Sequence, residues 1–192
     1  MMALAFLQLA AAAAAGPSFD CASARSEVEH AICADPALAE LDREEARLYR
    51  LARAVPQARV EQLRDRQRAF LAARDACPAS PGPLAECLRN AYLGDVADLR
   101  RLAGLADDNQ GLSFGPQRFA CDGGYPDLYV TVFLTEPEQA WLSNPAQDEA
   151  QPLVVTDPAR PQRLVGRYAT DMIYDIDKAE VRVGQRICKP AE

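Results

Sequence analysis

Residues 18–42 read SFDCASARSEVEHAICADPALAELD, and this stretch decides how the first half of the chain folds. Ser26 followed three residues later by Glu29 spells a capping box, in which each side chain takes the other's backbone amide. It predicts a short helix ending near Cys33. Asp35-Pro36 then opens a second helix, with Asp35 as N-cap and Pro36 at the first helical position, where its missing N–H costs nothing. Cys21 lies ahead of the first helix and Cys33 closes it. Two cysteines so far apart inside one continuous helix could not bond, so Cys21 has to fold back from the preceding loop.

Outward from this stretch the period stays helical. The second helix, from Pro36 to about Val55, buries Leu38, Leu41, Leu48, Tyr49 and Leu51 or Ala52. A third is expected from about Gln57 to Asp75, with Val60, Leu63, Phe70 and Leu71 facing inward. Residues 77–83, CPASPGP, break it. A fourth starts near Leu84 and runs through Leu88, Tyr92, Val96, Leu99 and Leu102.

Six cysteines stand at 21, 33, 77, 87, 121 and 188, with no Cys-x-x-Cys pair, and His30 is the only histidine. That is a poor zinc set, and disulfides in an oxidising compartment are the better reading against buried free thiols. Nearness in sequence pairs Cys21 with Cys33 and Cys77 with Cys87, one of three connectivities that four cysteines allow. Each short loop would contribute roughly 3 kcal/mol on the chain-entropy model.

Residues 1–16 read as a signal peptide. Met1 to Ala15 is apolar apart from Gln8, ends in Ala13-Ala14-Ala15, and is too short to span a bilayer. No Lys or Arg precedes the apolar run, and an ordinary Ala-rich helix is the other reading. Cys21 follows Ser18-Phe19-Asp20, not a lipobox, so a soluble periplasmic or secreted product is expected.

These residues resemble the LprI-type lysozyme inhibitor domain, a four-cysteine helical domain of exported bacterial proteins. Gln67-x-x-Phe70-Leu71-x-x-Arg74-Asp75-x-Cys77 is similar to the family's Q-x-x-W-L-x-x-R-D-x-C, and Cys87-Leu88-x-x-x-Tyr92 with Val96 and Leu99 to its closing helix. Phe70 replaces the usual Trp, and Asp95 sits where the family commonly has Arg.

The second half changes period from helical to two. Expected strands are 117–121, 128–134, 139–143, 153–156, 163–168, 172–175, 179–183 and 186–189, separated by Gly123-Gly124, Asn144-Pro145, Asp157-Pro158 and Gly184-Gln185. The predicted architecture is α+β in two domains: a disulfide-stapled helical domain over 17–105, a linker over 106–116, and a small antiparallel barrel or sandwich over 117–190. Cys121 and Cys188 could tie its ends, closing a long loop worth roughly 4 kcal/mol.

This half is similar, more faintly, to the membrane-bound inhibitors of c-type lysozyme, the MliC type. Phe119-Ala120-Cys121-Asp122-Gly123 resembles their opening strand, and Tyr168-Ala169-Thr170, then Lys178 and Cys188, their closing region. The resemblance implies that Lys178 enters a lysozyme cleft, with Tyr168 and Thr170 beside it. It places Leu164 where the family carries a second cleft-entering residue, a serine. It also leaves Tyr174-Asp175-Ile176-Asp177-Lys178-Ala179 without the family's Trp and Gly. Apart from the resemblance, Lys178 reads as an exposed turn lysine holding loose surface ion pairs.

The net charge of −7 argues against a nucleic-acid partner. Residues 17–105 carry 14 acidic and 13 basic side chains, and residues 106–192 carry 14 and 8. The acidic second half suits a basic partner, and c-type lysozymes are basic. Catalysis would have to use His30, beside Glu29 in a helix closed by a cysteine, and no phosphate loop is present. The expectation is therefore not an enzyme and no cofactor. The chain should bind and inhibit lysozyme; the alternative is a non-inhibitory envelope binding or stress-response module on the same scaffold.

Overall fold

The computed structural model describes residues 16–55 and 60–191. Four helices come first: α1 (Glu27–Ala34), α2 (Pro36–Ala54), α3 (Val60–Asp75) and α4 (Leu84–Leu102). The expected start of α3 near Gln57, and the signal peptide up to Ala15, lie outside the described residues. The local signals act as written. Ser26 Oγ accepts from Glu29 N at 3.1 Å while Glu29 Oε2 accepts from Ser26 N at 3.0 Å. Asp35 Oδ1 accepts from Ala37 N at 2.9 Å at the head of α2.

The helices close around Val28, Ile32, Leu38, Leu41, Leu48, Leu63, Phe70, Leu88, Tyr92 and Leu99. Each large side chain so buried contributes about 1.5–3 kcal/mol. The ring of Tyr92 meets Phe70 edge-on at 5.3 Å. Ala52 rather than Leu51 faces inward, and Leu102 lies outside on the last turn. Disulfide Cys21–Cys33 ties the turn before α1 to its last turn, and Cys77–Cys87 closes the connection between α3 and α4.

Eight antiparallel strands follow and close into an up-and-down barrel: β1 (Ser113–Cys121), β2 (Leu128–Phe133), β3 (Gln139–Asn144), β4 (Glu149–Val155), β5 (Arg163–Gly166), β6 (Met172–Asp175), β7 (Glu180–Val183) and β8 (Arg186–Pro190). Closure removes every free strand edge. The α+β, two-domain layout expected from the periods is therefore the one observed. Inward residues Phe119, Leu128, Val130, Ala140, Leu142, Leu153, Leu164 and Val181 fill the interior with side chains, as in other eight-stranded barrels. The third disulfide, Cys121–Cys188, sits where β1 pairs with β8 and locks the closure.

β1 begins at Ser113, within the segment read as a linker, and its pairing with β2 shifts register between Phe114 and Gln117. Nor are the two halves beads on a string. The outer face of the β2–β3 hairpin turns Phe133 and Trp141 into the helical core. Gly94 of α4 allows that contact, since a Cβ there would lie 3.1 Å from the Trp141 ring.

Candidate functional site

Lys178 sits in the β6–β7 turn, with 63% of its side chain exposed. Its Nζ lies 2.7 Å from Asp175 Oδ2, and its backbone N donates to Asp175 Oδ1 at 3.2 Å. The hydrogen bond from Lys178 holds the Asp175 carboxyl below the usual range. Asp175 thus holds both the backbone amide and the ammonium of Lys178, folding the exposed side chain back toward the end of β6. Ala179 supplies the turn's left-handed residue at φ 46°, at a cost of about 1–2 kcal/mol for a residue with a Cβ. In a ring of eight strands β7 stands four strands from β3, so the Lys178 hairpin lies across the barrel from the strand that carries Trp141.

Tyr168 and Thr170 are exposed but occupy the β5–β6 connection, at the other end of β6 from Lys178. β6 separates them by about 13 Å of strand. The structure therefore does not bring the three residues together at one tip. Tyr168 has a different neighbour: its hydroxyl accepts from Asn90 Nδ2 of α4 at 3.1 Å. Beside it, Arg167 Nε meets Glu86 Oε1 at 2.6 Å. Gln151 Oε1 accepts both Tyr168 N and Ala169 N at 3.0 Å, fixing the loop. Leu164 is fully buried in the barrel core and offers a partner nothing.

Between the halves lies a polar network that sequence reasoning missed. Arg100, 0% exposed, donates to Gly115 O, Ser113 Oγ, Leu105 O and Asp108 O at 2.6–3.2 Å. Glu44 Oε1 accepts from Ser113 Oγ at 2.6 Å and Ser113 N at 3.2 Å, and Arg47 bridges Glu44 and Asp108. Burial pushes the Glu44 carboxyl up, but the hydrogen bonds from Arg47 and Ser113 outweigh it and hold the group ionised. Residues 105–115 are thereby clamped, not loose.

A second buried set lies between α2, α3 and α4. Asp42 accepts from the Tyr92 hydroxyl at 2.8 Å, and Asp95 accepts from Arg66 at 2.9 Å. Burial, then the charge of Asp95, raises Glu45 to about 7. Burial raises Asp95 to about 6 against the pull of Arg66.

No group of three or more His, Cys, Asp or Glu among the described residues could hold a metal ion. Nor is any described helix long and apolar enough to cross a membrane. What remains is a stapled four-helix unit followed by an acidic barrel that projects a lysine.

Residues 20–103 match the family described as Lysozyme inhibitor LprI. The match takes in all four helices and both short-loop disulfides, and it ends before β1. The LprI-like half therefore coincides with the helical body, and the barrel lies outside it. No curated protein and no solved structure matches the chain. The LprI description makes a lysozyme the partner to consider, and three disulfides suit an extracytoplasmic compartment.

Proposed function

We propose that this protein is exported and inhibits a lysozyme, of the c-type, by protein–protein contact, with Lys178 entering the active cleft. The match of residues 20–103 to the LprI inhibitor family carries the reading. The cleft contact rests on chemistry. Lysozymes work through two carboxylates flanking the scissile bond. An ammonium placed between them forms charge-assisted hydrogen bonds and occupies the substrate's position. Lys178 suits the task because its pair with Asp175 is solvent-exposed, hence weak, and can be exchanged for a cleft carboxylate at little cost. The hairpin that carries it belongs to a closed, disulfide-locked barrel, so little conformational freedom is lost on insertion. The acidic barrel half would also draw a basic enzyme toward it.

Mature protein added to a c-type lysozyme should slow the clearing of a peptidoglycan suspension. Lys178→Ala should weaken inhibition by about 10–100-fold, the loss of one charge-assisted contact. Undiminished inhibition by that variant would remove the hairpin from the mechanism. Clearing at full rate with wild-type protein would leave the non-inhibitory module as the better reading.

A further inference from the structure

Three recesses of about 480, 360 and 350 Å³ adjoin one another on one side of the molecule. The first lies in the seam between α3 and α4. The second shares Ala73 and Ala91 with it and reaches the proline loop at 80–83. The third shares Tyr168 with the second and opens at the barrel mouth by Asp148 and Glu149. Helical geometry makes the floor. Asp65, Ala69 and Ala73 recur every fourth residue on α3, as Cys87, Ala91 and Asp95 do on α4, so small side chains face each other across the seam. From Asp95 to Glu86 the trough runs about 14 Å along α4.

The lining is apolar below and acidic around. Five carboxylates, Asp65, Glu86, Asp95, Asp148 and Glu149, stand against one guanidinium, Arg66. Glu86 is met by Arg167 and Asp65 by Arg68. Asp148 and Glu149 are exposed and have no ion-pair partner among the described residues. At the opposite end the Asp95 side chain is only 4% exposed, and its Oδ2 has no hydrogen-bond partner among the described residues. A carboxylate oxygen left so is costly unless a donor arrives.

We propose that this trough docks an extended, basic segment of the partner protein. Small or apolar side chains would lie on Ala69, Phe70, Ala73 and Ala91. One lysine or arginine would reach the Asp95 end, and a second, about four residues on, the Glu86 end near the barrel mouth. The inference rests on the reading of the partner as a basic lysozyme, and it adds a contact on the LprI-like half remote from Lys178. Binding there is bivalent with the hairpin, so each contact raises the effective concentration of the other.

The test uses the full mature chain, labelled with nitrogen-15, and two probes: a c-type lysozyme and a capped pentapeptide, Lys-Ala-Val-Ala-Lys, whose two lysines share one face of an extended chain. The peptide should shift the amides of Ala69, Ala73, Ala91 and Tyr168, and a version with Glu for Lys should not. Ala73→Arg changes an exposed position common to the first two recesses, so it fills the trough and adds a like charge without touching the core. It should abolish the peptide shifts and weaken the Kd for lysozyme at least tenfold. Equal binding of both probes by Ala73→Arg and wild type overturns the trough. Inhibition that survives in Ala73→Arg but not in Lys178→Ala also overturns it, and leaves the inhibitor reading standing. Peptide shifts in the trough with no lysozyme binding would do the reverse.

Discussion

Arg100→Met is expected to lower the unfolding free energy by about 3–5 kcal/mol and to uncouple the barrel from the helices. Arg100 spends four hydrogen bonds on the segment from Leu105 to the start of β1, three of them to backbone carbonyls of Leu105, Asp108 and Gly115 and one to Ser113 Oγ. Methionine fills much of the volume but returns no donor, so the Asp108 and Gly115 carbonyls lose the guanidinium in a dry interface, while Leu105 O keeps only Asp108 N at 3.1 Å. Asp108, 3.6 Å from the guanidinium, would keep only Arg47. The single tryptophan, Trp141, reports on this seam because it packs on Gly94 across it. In urea, Trp141 fluorescence and far-UV dichroism should move together for the wild type, and the fluorescence midpoint should fall first in the variant. Coincident transitions at the wild-type midpoint would show that the clamp contributes nothing.

The contrast between Arg100 and Ser26 explains how much could be read from the sequence. Caps, proline breaks and strand alternation depend on residues within four positions of one another, so Ser26, Asp35-Pro36 and the eight strands were legible. Arg100 was not, because at the end of a helix beside Arg101 it looks like a solvated C-terminal cation. Its partners, Leu105, Asp108, Ser113 and Gly115, lie in and on either side of a polar run, Asp107-Asp108-Asn109-Gln110-Gly111, that reads as linker by composition. Trp141 alternates outward on β3 and would be solvent-facing if the barrel stood alone; only the docking of α4 buries it. The hairpin bearing Lys178 was legible as a turn. Its separation from Tyr168 was implicit in chain order, because the two flank β6 and an extended strand carries them to opposite ends; the contact of Tyr168 with Asn90 of α4 was not. The trough required the α3–α4 crossing, which no single-helix pattern contains.

Glu45→Gln is expected to stabilise the protein by about 2–3 kcal/mol at pH 8 and to flatten its dependence on pH. Glu45 is 5% exposed on α2, and its Oε1 has no hydrogen-bond partner among the described residues. The groups around it are Asp42 on its own helix, Gln67 and Arg74 on α3, and Asp95 on α4, which in turn meets Arg66 and Asp98. Burial and then repulsion from Asp95 lift its pKa from 4.5 to about 7. A carboxyl whose pKa is higher folded than unfolded binds more protons in the folded state between the two values. Its contribution is therefore fully present below about pH 4.5 and is lost as pH rises through 7. Asp95, raised from 3.8 to about 6, acts in the same direction over a lower window. The fold should accordingly become more stable on mild acidification from pH 8 to pH 5, the reverse of a protein held by exposed carboxylate ion pairs. An amide at position 45 keeps the shape, carries no charge to desolvate and removes the repulsion on Asp95. Urea midpoints measured at pH 5, 6.5 and 8 should rise toward acid for wild type and converge with E45Q at the acid end. Parallel lines for the two proteins would mean that the proton on Glu45 is not what the folded core is holding.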